Sequence, residues 1–382
     1  TGVASPGFNC HFLPIKAANA SGKLIAAYPG VTYAADHGCK IINCSWGGPT
    51  NSQYGQDIVT YAAVNKNCLV VAASGNTSSD SLLYPGSFNY AYRVAGSTST
   101  DKMGLFSTYG DNVDFTAPGN NIYSTYSGGG YGNMTGTSMS CPVAAGAAGL
   151  VQSQFNYSNA FQIGERLKQT CDPMTSEAKY TAGKLGKGRI DVGTAVTAST
   201  AAKSLYMNSV VITDGNDNAF MPGETLSMTG TFINYLDPSS SSASAVLSVV
   251  SGPGTVTNGN FTIGALATLA TKVNTSTPFT VTINSSAAIN STIKLKVHIT
   301  DGIFTGDQFF TVVVNVDYIN IVNNDVHTTI TSKGRIGFNL DGTQQGVGFE
   351  YQLPTPSNLL YEMSLMIGTS STKVSDMFRD ST

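Results

Sequence analysis

The stretch Gly136-Thr137-Ser138-Met139-Ser140-Cys141-Pro142 runs directly into Val143-Ala144-Ala145-Gly146-Ala147-Ala148-Gly149. A run of residues this small does not make a solvent face. It reads as a helix buried on all sides, with neighbouring backbones packed close against it. Proline is tolerated in the first turn of a helix, where its missing N–H has no partner to lose, so the helix is expected to begin near Ser138. A serine there sits at the positive end of the helix dipole. That position suits a nucleophile, although a serine at a helix start, taken alone, reads as an N-cap.

The 382 residues leave room for two or three domains. Charged residues make up 11%, against about a quarter in average soluble domains. The net charge is -3 with no basic run, which argues against nucleic acid as a partner. No apolar stretch approaches the roughly 20 residues that span a bilayer. The first residue is Thr and no signal peptide precedes it, so the chain is expected to be processed or cut. All six cysteines lie between Cys10 and Cys171, without a C-x-x-C pair or a Cys/His cluster at metal spacing, so no metal site is assigned. They read as buried free thiols, with a Cys39–Cys68 disulfide as the alternative.

Residues 1–199 alternate apolar runs with helical patterns. Phe12–Lys16, Lys40–Ser45 and Cys68–Ala73 have the length and β-branching of short buried strands. Between the second and third, Ile58, Val59, Ala62 and Ala63 recur at helical spacing. That is a β-α-β unit, so the sheet is expected to be mostly parallel with flanking helices, an α/β fold. In such sheets a site lies beyond the carboxyl ends of the strands. Two strand ends lead into Ser45-Trp46-Gly47-Gly48 and Ser74-Gly75-Asn76.

The ordered set of motifs resembles the subtilisin-like serine proteases (subtilases). Gly136–Pro142 with its small-residue helix resembles the family's nucleophile motif, which implies a catalytic Ser138. Val71–Asn76 resembles the segment that supplies the oxyanion-hole asparagine, here Asn76. Ile42–Gly48 resembles the segment that lies along the substrate backbone. By the same resemblance Ser45, Trp46, Gly47, Gly48, Ser74 and Gly75 line the substrate channel and Leu83 sits at the pocket floor. Tyr84-Pro85-Gly86, Arg93–Gly96, Phe106–Gly110, Asp114–Gly119 and Gly186–Val192 follow in the family's order. A polypeptide substrate and secretion, or a place at a bacterial cell surface, are implied. Calcium is frequent in the family, and no ligand for it is assigned here.

A serine nucleophile needs a base and a carboxylate that orients it. The family's Asp and His-Gly-Thr-His motifs do not occur among these residues. His37 fits the end of a helix, where its charge favours the dipole. The chain therefore reads as a C-terminal portion of a subtilase, N-terminally truncated and inactive by itself. The alternative is a surface-binding or adhesion protein on a degenerate protease scaffold.

After an Ala/Ser/Thr-rich linker near Thr197–Ser204, residues 205–316 alternate with period two, as in Leu226–Phe232 and Ile293–Ile299. This predicts a β-sandwich, and its opening resembles immunoglobulin-like accessory modules. The Asp214–Asn218 cluster reads as a solvated turn, with calcium binding as the alternative, since its ligand spacing falls short of a full calcium loop. Residues 317–382 read as the start of a further β-rich module. Oligomeric state is not specified by any of these features.

Overall fold

The computed structural model describes residues 3–198, 202–215, 220–288, 290–314, 318–323, 326–331, 335–337 and 346–351, with short strand segments at 357–358, 363–364, 366–370 and 373–376. The first half is built on four parallel strands in sequential order: β1 (Ile41–Cys44), β2 (Leu69–Ala73), β3 (Ala91–Ser97) and β4 (Phe115–Pro118). Ile42 pairs with Val70, Val71 with Tyr92 and Ala95 with Thr116. Every residue of β2 is buried. Its alternate side chains divide between two cores, which is why the run Leu69–Ala73 carries no polar alternation.

Val71 and Ala73 face a core shared with Ala144, Ala147, Ala148 and Val151 of helix α3 (Thr137–Phe155). Val70 and Ala72 face Val31 and Ala34 of α1 (Ala27–Asp36) and Ala62 and Ala63, which follow α2 (Gln53–Thr60). The expected β-α-β unit is present, with the helix ending in a π-turn over Tyr61–Asn65. His37 caps α1, its Nδ1 2.8 Å from the Tyr33 carbonyl.

Several expectations are corrected. Phe12–Lys16 is not a strand, and Phe12 is 87% exposed. Pro14 brings no N–H to a ladder; Ile15 is instead sheltered by packing on Gly30 of α1. Helix α3 is not buried all round: Pro142 is exposed, and the outer face at Gly146 and Gly149 is approached by the turn at Gly7–Cys10. Pro142 also lies in the second turn, since the helix starts at Thr137. All six cysteines are free, but only Cys44, Cys68 and Cys141 are buried as expected; Cys39 and Cys171 are partly buried and Cys10 is exposed.

Helix α4 (Ala160–Gln169) covers the far end of the first half. Beyond it come a five-stranded and a four-stranded antiparallel sheet within residues 205–313. The two long central strands, Thr225–Asn234 and Thr292–Asp301, bury every second residue. Side chains of both sheets share one core that includes Met228, Phe232, Phe279, Leu295 and Val297. A further antiparallel pair joins Tyr318–Asn323 to Val326–Thr331.

The junction between the halves is polar and buried. Ser204 Oγ donates to Glu165 at 2.5 Å, and Gln162 Nε2 donates to the Tyr235 carbonyl at 2.9 Å. Within the stretch expected to be a linker, Ala202 and Ser204 accept backbone bonds from Asp237 and Tyr235, so that part is pinned. Asp111 takes Lys184 at 2.8 Å from its own half and Lys294 from the other. Burial opposes ionisation of Asp111, and the hydrogen bonds from the two lysines outweigh it, holding its pKa below the usual value.

A carboxyl with a depressed folded pKa stabilises above its unfolded pKa of about 3.9, and the contribution is lost as pH falls through the folded value. Asp111→Asn should therefore cost about 1–3 kcal/mol at neutral pH. Urea unfolding at pH 7 and near pH 3 checks this. The gap between the two proteins is expected to narrow in acid, and an unchanged gap would contradict the bridge.

Candidate active site

The carboxyl ends of β1 and β2 and the first turn of α3 converge on one point. Ser138, the second residue of α3, is half-buried. Its Oγ donates to the Ser45 carbonyl at 3.1 Å, and Ser45 Oγ donates back to the Ser138 carbonyl at 3.0 Å. The second bond exists because of Pro142. In an unbroken helix the Ser138 carbonyl would accept from the N–H four residues on, and that residue is proline. The freed acceptor is satisfied by β1's end instead, and the nucleophile candidate is tied to the sheet at both its side chain and its backbone.

Asn76 follows β2. Its Oδ1 accepts from the Thr137 N–H at 2.9 Å and from Thr137 Oγ1 at 3.0 Å, while Thr137 Oγ1 accepts from the Gly75 N–H at 3.1 Å. With the carbonyl side of the amide engaged twice, the Nδ2 side is the one left to donate elsewhere. Gly136, at φ 156°, adopts a conformation closed to other residues, and a Cβ there would lie 3.3 Å from Asn76 Nδ2. The first N–H groups of α3, Ser138's among them, have no intrahelical acceptor. A half-buried hydroxyl, an amide N–H and a free helix N-terminus thus adjoin, a set that can bind charge developing on an attacked carbonyl.

The expected channel residues flank this point. Gly48 and Tyr84 exchange backbone bonds of 2.9 and 2.8 Å, and a Cβ on Gly47 would meet the Tyr84 carbonyl at 2.9 Å. Leu83 lies over Gly75, so close that a Cβ on Gly75 would collide with its Cδ1. Trp46 is partly buried, its ring set edge-on to Tyr28 at 5.1 Å. Ser74 departs from the expectation. It is fully buried and its hydroxyl donates to the Thr108 carbonyl at 2.8 Å, so it frames the wall without lining an open channel.

Other nucleophiles nearby are quenched by burial, which pushes the Cys44 thiol up to about 12 and raises Cys141 further. His37 and His298 bond to the Tyr33 carbonyl and to Asp307, away from Ser138. Of the Asp214–Asn218 turn, residues 216–218 lie outside the described residues. Sequence reasoning missed the roles of Thr137, Pro142 and Arg93. Each stood inside a quoted motif, and for Arg93 the signal was a cation within an otherwise apolar strand.

Ser45→Ala should destabilise by about 1 kcal/mol by stripping the Ser138 carbonyl of its donor. In a Pro142→Ala background, where the helix can supply that donor, the cost should shrink. Urea unfolding of the four proteins measures the coupling, and strictly additive costs would contradict the assignment.

The "Subtilase family" (Peptidase S8) sequence profile matches residues 6–220, more than half of the chain. Thermitase of Thermoactinomyces vulgaris is 38% identical over 198 residues, 51% of this chain and 68% of that protein. The thermophilic serine proteinase of Bacillus sp. (strain AK1) is 37% identical over 52% of this chain and 48% of its own length. Subtilisin Savinase of Lederbergia lenta is 36% identical over 48% and 67%. The chain thus spans about half to two thirds of the length of these relatives. Among solved structures, a protease of Pseudoalteromonas arctica PAMC 21717 aligns at 27% identity and a TM-score of 0.42, over 45% of this chain and 58% of that one. The α/β chain with its Ser138 site belongs to the subtilase family.

Proposed function

We propose that this chain carries the nucleophile half of a subtilisin-type serine endopeptidase. Ser138 Oγ attacks the peptide carbonyl, and Asn76 Nδ2 with the Ser138 N–H holds the oxyanion. An extended polypeptide lies along Ser45–Gly48 and Gly75, pairing as an added strand, with Leu83 at the floor of the pocket for the residue before the cut. The observation that carries this reading is the double engagement of Asn76 Oδ1 by Thr137, which orients the amide for donation. The reading divides the chain into a peptidase domain (1–199), an immunoglobulin-like β-sandwich (205–316) and the start of a further β-rich module (317–382). Two antiparallel sheets on one core support the second of these. Secretion from, or display on, a bacterium accords with the bacterial relatives. Among the described residues no helix is long and apolar enough to cross a membrane.

The hydroxyl of Ser138 donates to a carbonyl and not to an imidazole. That favours inactivity of this chain by itself, and it is the observation behind a second reading, a non-catalytic surface-binding or adhesion protein on a protease scaffold. Two measurements separate these. A fluorophosphonate should not label Ser138 stoichiometrically, and full labelling would refute the claimed inactivity. An N-acetyl tetrapeptide titrated into isotope-labelled protein should shift the amides of Gly47, Gly48 and Gly75. Unmoved amides would refute the substrate channel and favour the second reading.

A further inference from the structure

Arg93 of β3 is fully buried, on a strand whose neighbours Val94 and Ala95 are core residues. Among the described residues no carboxylate forms an ion pair with it, and burial brings its pKa down to about 10 against the opposing pull of Asp80 and Asp114. It stays a cation at neutral pH, stabilised by carbonyl dipoles. Nη2 donates to the Ser74 carbonyl at 3.1 Å and to the Ser81 carbonyl at 2.5 Å, and Nη1 donates to Asn112 Oδ1. Among the described residues Nε has no acceptor, so the Nη groups anchor the guanidinium. Gly86 leaves it room, since a Cβ there would press on Arg93 Cγ at 3.2 Å and on the Ala73 carbonyl at 3.1 Å.

The two carbonyls held by Nη2 belong to two segments that meet where Leu83 covers Gly75. Ser74 precedes Gly75 and Asn76 on the β2 side, and Ser81 begins the turn that delivers Leu83. Leu83 in turn occupies the space above Gly75. We propose that Arg93 is a positioning residue for substrate selection: by tying the Ser74 wall to the Ser81 turn it holds Leu83 over Gly75, keeps the pocket shallow, and restricts it to small side chains. This rests on the endopeptidase reading above and adds a specificity to it. A backbone clamp is required for such a role, because a side chain touching only the Leu83 methyls would not fix the turn's distance from β2.

The test is a titration of the full chain with N-acetyl tetrapeptide carboxylates that differ only in a terminal Ala, Leu or Phe, read at the Gly75 and Asn76 amides. The wild-type chain should bind the Ala peptide about tenfold more tightly than the Phe peptide. Arg93→Met, close in length and without donors, should bring that ratio to about threefold or less, whereas Arg93→Lys, which keeps a cationic donor for the carbonyls, should keep it above about threefold. Should Arg93→Met fail to fold, Asn112→Ala frees the other end of the guanidinium and carries the same test, with a ratio lowered at least about twofold. An unchanged ratio in a folded variant overturns the positioning role and leaves the endopeptidase reading standing. Absence of any peptide-induced shift in the wild type overturns both.

Discussion

The exchange of hydrogen bonds between Ser138 and Ser45 is the contact on which the rest of the site depends. A helix N-terminus carries spare N–H groups, and a strand end carries spare carbonyls. Here the two are brought together through serine hydroxyls that each donate to the other's backbone. Pro142 makes the arrangement available by withholding the helix's own donor from the Ser138 carbonyl. The small residues Ala144, Ala147 and Ala148 then let α3 settle on the sheet closely enough for its first turn to reach the ends of β1 and β2. The Ser138 hydroxyl, the helix start and the strand ends are therefore fixed by one piece of packing.

The same logic extends outward in two further layers of backbone anchoring. Thr137 joins the helix start to Gly75 and Asn76. Arg93, one strand further along the sheet, joins Ser74 to Ser81. In both cases a buried polar group satisfies backbone or amide atoms and not another charge, which keeps the site's own electrostatic field available to a bound carbonyl. The polar junction at Glu165, Gln162 and Asp111 shows that the β-rich half is docked firmly on the α/β half, through groups that would be costly to bury unpartnered.

Much of this was readable from residue order. The runs at Lys40–Ser45 and Cys68–Ala73, the helical spacing between them and the period-two alternation of residues 226–232 and 293–299 each specify their element locally, and the structure forms strands at Ile41–Cys44, Leu69–Ala73, Thr225–Asn234 and Thr292–Asp301. Ser138 and Asn76 come from the family resemblance of their motifs; taken alone, a serine at a helix start reads as an N-cap and an asparagine after a strand as a turn residue. Phe12–Lys16 was misread because strand formation depends on a pairing partner, which composition does not reveal. Ser74's burial and the clamp at Arg93 were hidden for a related reason. Both depend on loops at Ser81 and Thr108, distant in sequence, coming to rest beside β2 and β3.

The central proposal is that the chain holds the nucleophile and oxyanion groups but, among its described residues, neither the orienting carboxylate nor a base at Ser138. Added imidazole should supply one, so hydrolysis of an activated peptide ester by the full chain, measured with and without imidazole, tests it most directly. The account predicts turnover above the rate given by imidazole alone, an excess that disappears in Ser138→Ala and falls about a hundredfold or more in Asn76→Ala, the loss known for the oxyanion-hole asparagine of subtilisin itself and carried over to this chain. An imidazole-dependent rate that is the same in the wild type, Ser138→Ala and Asn76→Ala would contradict it.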